Sequence, residues 1–344
     1  MKRQSYSALA SIAIAGVLAG TAAILPTSAS ATGLILSANG FTQIGIQDTG
    51  NLDANTDAGF VGIGYNFTGQ GGRTGMQDAL TPGCPCESWG VSASGFSGQI
   101  GDATGNSNIG LVSTSTGVNS FTSVTNLTTL PGLTVTQAFT RSAETATGGL
   151  FQDHVTITNG TGGTVTDVRY ARAMDWDVPP TEFSEVVTHK GTTTTTELLH
   201  STDNGFSTAD PIAAMSDGGI CGPVDSDGTT GPCDHGSLFV FGFGSLANGA
   251  TKEFNIFYGA GANLADGLTL LGMISPELYS IGQSSGCTGT SNGQCDDLPP
   301  YLFAFNGVGG SVVVPPPGVP EPATLSIIGL GLAALGLARR RKSA

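Results

Sequence analysis

The sequence predicts a mainly β protein: an antiparallel β-sandwich, or two abutting sandwiches, with one short helical segment. Three observations point there. Apolar and Thr positions alternate in Leu133-Thr134-Val135-Thr136 and Val155-Thr156-Ile157-Thr158, which buries one face of each strand and solvates the other. Charged residues make up only 11% of the chain, beside 53 Gly and two Trp, a balance closer to a Thr/Gly-rich extracellular β protein than to a helical enzyme. The glycines follow no collagen period and apolar strands interrupt them, which argues against disorder. No repeat of fixed period is present.

The first element is a secretory signal over residues 1–31. Lys2 and Arg3 precede an apolar stretch from Ala8 to Leu25, and Ala29-Ser30-Ala31 is the small-x-small pattern that signal peptidase cuts. The strands follow: Gly62–Thr68, Trp89–Ser94, Phe121–Thr125, Leu133–Thr140, Phe151–Thr158, Thr164–Asp177, Val186–Leu199, Leu238–Phe243 and Glu253–Tyr258. Asn159-Gly160 and Gly162-Gly163 between two of these runs read as a hairpin. A boundary near Thr129–Gly132 divides an N-terminal β region, 32–130, from a main sandwich region, 131–314.

Leu264, Leu268, Leu271, Met273 and Ile274 then repeat at helical spacing, and Pro276 opens a second turn through Ile281, giving a helical segment near 263–282. Its expected place is an open end or edge of the sandwich. Phe303, Phe305 and Val312 to Val314 return the chain to a sheet. Residues 315–319 form a Pro-rich linker, and 320–344 the C-terminal tail.

That tail consists of Val319-Pro320-Glu321-Pro322, an apolar run from Ala323 to Ala338, and the basic stop Arg339-Arg340-Arg341-Lys342. Sixteen residues at about 1.5 Å each span roughly 24 Å, slightly short of a bilayer core of about 30 Å, so the segment reads as a transmembrane helix with snorkelling flanks. Four cations after it stay cytoplasmic, which leaves the body outside. The order of motif, helix and basic cluster resembles the PEP-CTERM signal read by exosortases in Gram-negative bacteria. That resemblance implies a transient inner-membrane anchor, cleavage near Pro-Glu-Pro, and release or attachment at the cell surface or its matrix; a permanent anchor is the alternative. Asp167 to Phe183, Phe254 to Ala260 and Glu277 to Gly282 are similar to stretches of uncharacterised exported bacterial β proteins, a likeness covering about 151–310 with no activity attached to it.

Between the two ends, six cations face 25 acids, a net charge near −19. Such a surface repels nucleic acid and attracts cations. Six cysteines in an exported chain read as disulfides, with Cys221–Cys233 and Cys287–Cys295 as local pairs; Cys84 and Cys86 bridge each other only with strain or pair elsewhere.

Asp175, Asp177, Glu182 and Glu185 surround Trp176 within eleven residues. Three readings are open: ion pairing with Arg169 and Arg172, a Ca²⁺ site with Asp175 and Asp177 as ligands, or a glycosidase pair beside an aromatic. Asp53-Ala-Asn55-Thr-Asp57 and Asp225-Ser-Asp227-Gly228 imitate calcium loops, although the first misplaces the EF-hand glycine and lacks the closing glutamate. His154 is expected to face solvent, and Cys233-Asp-His235 offers the start of a zinc site. No nucleophile elbow, phosphate-binding loop or His-Glu-x-x-His motif occurs. The function expected is a non-catalytic, exosortase-processed component of the cell surface or extracellular matrix, with a carbohydrate-binding or carbohydrate-active domain as the alternative and extracellular polysaccharide as a partner.

Overall fold

A computed structural model describes residues 33–56, 59–101 and 104–314. The signal segment, the linker and tail from 315 onward, and Asp57 lie outside the described residues. The chain is mainly β, in antiparallel sheets, with one α-helix.

Nine strands form the largest sheet, in the order Gly228–Cys233, Glu185–Lys190, Leu278–Gln283, Tyr301–Asn306, Thr251–Ala260, Gly149–Asn159, Leu133–Glu144, Ser120–Leu127 and Ile109–Gly117. A five-stranded sheet runs Leu198–Thr202, His235–Leu246, Val165–Trp176, Glu87–Ala93 and Phe96–Gly101. Gly33–Leu36, Thr42–Ile46, Ile63–Thr68 and Thr74–Asp78 make a four-stranded sheet, and Ala54–Thr56 pairs with Gly59–Val61.

The main core lies between these sheets. Phe139, Val155, Ile256, Tyr258 and Phe303 of the large sheet meet Trp89, Tyr170, Trp176, Phe239 and Phe241 of the five-stranded one, and Ile44, Ile63 and Tyr65 of the four-stranded sheet join them. The period of two explains this: Val135 is buried opposite Ile157, while the intervening threonines stay half-exposed. Burying so many aromatic rings is the main source of stability, each fully buried large side chain contributing about 1.5–3 kcal/mol. The segment expected as a boundary, Thr129–Gly132, is a turn between two paired strands of the large sheet.

Three of the expected local elements differ. Asn159 to Gly163 does not close a hairpin: Gly149–Asn159 pairs with Leu133–Glu144 and Thr251–Ala260, whereas Val165–Trp176 starts in the other sheet. The buried Asn159 side chain donates to Gly163 O (2.8 Å) and Leu246 O (2.7 Å), holding the chain as it crosses between sheets. The run Val186–Leu199 is broken after Lys190, where Gly191 takes φ +92° and packs so close to the Glu277 carbonyl that a Cβ there would sit 2.1 Å from it. Val312 to Val314 form no strand, although Val313 N donates to Pro276 O (2.9 Å).

The helix itself is Leu264–Ile274, capped by the Asn263 side chain, which accepts from Asp266 N (3.0 Å). It ends at Ser275, a left-handed residue at φ 51°, and the expected second turn is instead the strand Leu278–Gln283. Neighbouring strands on both sides hydrogen-bond that segment, and all six of its residues are buried. Rather than capping an edge, the helix covers the second face of the large sheet. Leu270 and Leu271 pack on Leu150, Phe257, Ile281, Leu302 and Ala304, while Leu268 and Met273 face solvent.

Candidate functional site

The strand Val165–Trp176 reaches its C-terminal end where two sheets meet. Asp234 is the single residue between Gly228–Cys233, the edge of the large sheet, and His235–Leu246 of the five-stranded sheet. Register sets Trp176 opposite His235 and Glu185 opposite Cys233, so the ends of three strands deliver their acids to one place.

There, carboxylate oxygens of Asp175, Asp177 and Asp234 all lie within 4.8 Å of one another. Asp175 and Asp177 are 2% and 0% exposed, and Asp234 is the exposed member. Glu185, also fully buried, accepts from His235 N (2.8 Å) through Oε1. Asp175 Oδ1, both oxygens of Asp177 and Glu185 Oε2 have no hydrogen-bond partner among the described residues.

Burial, then the charges of Asp234 and Glu185, push the Asp175 carboxyl up to about 8. Burial, followed by Asp175, Glu185, Asp234 and Glu182, raises Asp177 to about 9. Glu185 is raised too, chiefly by burial, against hydrogen bonding from His235. Without a cation, at neutral pH the two aspartates are therefore held largely as neutral acids.

The arginine partners expected for this patch are elsewhere. Arg169 binds Asp167 (2.8 Å), and Glu182 leaves the cluster to pair with Arg73 (2.8 Å). Arg172 turns into the core toward Glu87, Gln137 and Tyr170. Trp176 and Tyr170 are both 0% exposed, and Trp176 Nε1 donates to Ser280 Oγ (3.0 Å) within the core.

Among the described residues the other candidates do not assemble. Asp53 is buried and Asn55 exposed, so they face different surroundings, and Asp57 lies outside the described residues. Asp225 Oδ1 accepts from Ser201 N (2.7 Å) and Asp227 Oδ1 from Thr192 N (2.8 Å), which commits both to holding loops. Zinc has no set of ligands at His235, because Cys233 is bonded to Cys221 and the imidazole nitrogens meet Thr230 Oγ1 and Cys233 O. His154 is half-exposed beside Asn255. The three disulfides are Cys84–Cys86, Cys221–Cys233 and Cys287–Cys295, with Cα separations of 5.1, 6.6 and 5.2 Å.

Asp234 escaped sequence reasoning because 57 positions separate it from Asp177. Its only local signal was an acid placed directly after a disulfide cysteine.

A family profile described as the PEP-CTERM protein-sorting motif matches residues 318–342. The chain carries a PEP-CTERM sorting motif. This PEP-CTERM tail marks the protein as an exported exosortase target with transient sorting at the membrane. No curated protein and no solved structure matches the chain, so the likeness of 151–310 to exported β proteins gains no support. Among the described residues no helix is long and apolar enough to cross a membrane; the apolar run Ala323 to Ala338 and the basic stop Arg339 to Lys342 lie outside them.

Proposed function

We propose that the PEP-CTERM protein is a non-catalytic structural component of the cell surface or extracellular matrix, released to that place by exosortase cleavage near Pro320-Glu321-Pro322. The observation that carries the reading is the burial of Trp176 and Tyr170 behind the acidic cluster. A polymer substrate needs an aromatic surface it can reach, and these two rings belong to the core between the sheets. Of the three clustered aspartates only Asp234 is exposed to solvent. Three disulfides and a sheet of nine strands give the body the durability that an oxidising exterior requires.

The experiment is a double substitution, Pro320→Ala with Glu321→Ala. The apolar run and basic stop persist, so the unprocessed chain is expected to stay in the inner-membrane fraction while the parent reaches the surface fraction. Normal processing of the double variant would defeat the exosortase part of the reading. Turnover of a polysaccharide by the purified protein, lost on substitution of Asp175, would defeat the non-catalytic part.

A further inference from the structure

We infer that Asp175, Asp177 and Asp234 form a calcium site, with Glu185 close by, that ties the edge of the nine-stranded sheet to the five-stranded sheet. Acidic residues gathered on a surface would carry no such conclusion. Here Asp177 is fully buried, neither of its oxygens has a partner among the described residues, and both its neighbours in the cluster are carboxylates. A buried carboxylate without a hydrogen bond or counter-charge is costly, and a cation removes that cost for several groups at once.

Donor chemistry selects the ion. Every available atom is a carboxylate oxygen, while the nearby imidazole of His235 already meets Thr230 and Cys233, so no nitrogen or sulfur is offered to a softer metal. Oxygens on opposite sides of a calcium ion stand about 4.6–5.2 Å apart, given Ca–O distances of about 2.3–2.6 Å. Three carboxylate oxygens within 4.8 Å of one another are therefore spaced as ligands of one calcium ion are. Asp234, the exposed member, is where the cluster meets solvent.

The position gives the ion a structural task. Asp175 and Asp177 belong to the end of a central strand, Asp234 to the link between the sheets, and Glu185 to the strand paired with Gly228–Cys233. A cation held by the three aspartates adds a link to the His235 N–Glu185 and Trp176–Ser280 hydrogen bonds that already join these elements. Extracellular calcium modules work at dissociation constants of about 10⁻⁴–10⁻³ M, so a site of ordinary strength fills only after export. The inference depends on export and not on the matrix role proposed above.

The test is calorimetric titration and thermal melting of the exported, processed protein, with CaCl₂ against NaCl at equal ionic strength and against MgCl₂ and ZnCl₂. Expected are one calcium ion per chain and a rise in Tm of several degrees with calcium, absent with sodium and smaller with magnesium. Asp234→Asn changes only an exposed group and therefore folds. It should weaken calcium binding and shrink the rise, and Asp177→Asn should abolish both. Because Asp177→Asn removes a buried acid, its Tm in chelator should equal or exceed the parent's. The inference is overturned if chelator leaves the parent's Tm unchanged, if sodium gives the same rise, or if both variants keep the parent's calcium response. Tighter binding of zinc than of calcium would overturn the assignment of the ion.

Discussion

Arg172 is a guanidinium with no exposure to solvent, and its partners explain how a charge survives there. Glu87 accepts from its Nε, Gln137 Oε1 from Nη1 at 2.6 Å and Gly50 O from Nη2 at 3.1 Å, while the Tyr258 ring lies 5.4 Å from its central carbon. Removing one partner of a buried pair strands the other, so Arg172→Leu is expected to lose about 3–5 kcal/mol in urea unfolding. Asp153 lies 3.7 Å from the same guanidinium, yet burial outweighs Arg172 and lifts its carboxyl to about 8. The folded state then holds a proton that the unfolded chain releases near pH 4, so this group's contribution is full in acid and fades as pH rises through about 8. Asp153→Asn is expected to match the parent's stability near pH 4 and to exceed it by a growing margin up to about pH 8. Parallel stability curves for the two proteins would rule this out. His189, buried beside Ser237, carries the opposite sign. Burial lowers it to about 4, so between pH 6.5 and 4 the unfolded chain takes up more protons and stability falls with acid, a loss that His189→Gln should lessen.

At the scale of elements, the helix tests how packing selects a face. Leu270 is fully buried against the large sheet, whereas Leu268, which the leucine spacing also assigned to the apolar stripe, is 37% exposed. Leu270→Ala is therefore expected to cost about 2–5 kcal/mol and Leu268→Ala within about 0.5 kcal/mol. Equal costs, measured by chemical denaturation, would place the helix differently. Asn263→Ala removes the cap on Asp266 N and is expected to cost about 1 kcal/mol. The helical period was legible from Leu264 onward, but its end was not. Ser275 turns the chain left-handed, and Leu278 to Gln283 is drawn into a vacant lane of sheet that local sequence does not announce.

For the whole molecule, the nine-stranded sheet crosses position 130, with Ser120–Leu127 and Leu133–Glu144 paired through seven residue partners. The main core likewise draws on Ile35 at one end and Phe305 at the other. We expect spectroscopic probes placed before and after position 130 to report one unfolding transition. Two separated transitions, or a protease-resistant 131–314 fragment, would support the two-region division. The processed protein should also contain no free thiols, read by thiol titration in denaturant without reductant, since all six cysteines are paired.

The sorting tail and the β class were legible in sequence because each is written in contiguous residues: Val319 to Lys342 in order, and Val/Thr alternation along single strands. A period of two states which residues share a face, but not which strand lies alongside. Only the tertiary structure sent Val165–Trp176 into a different sheet from Gly149–Asn159, where Tyr170 and Trp176 share one core with Phe151, Val155 and Ile157 of the other strand. The same long-range pairing exchanged Glu182 for Asp234 in the acidic cluster: Arg73 holds the first away, and the strand register of His235 with Trp176 carries the second in.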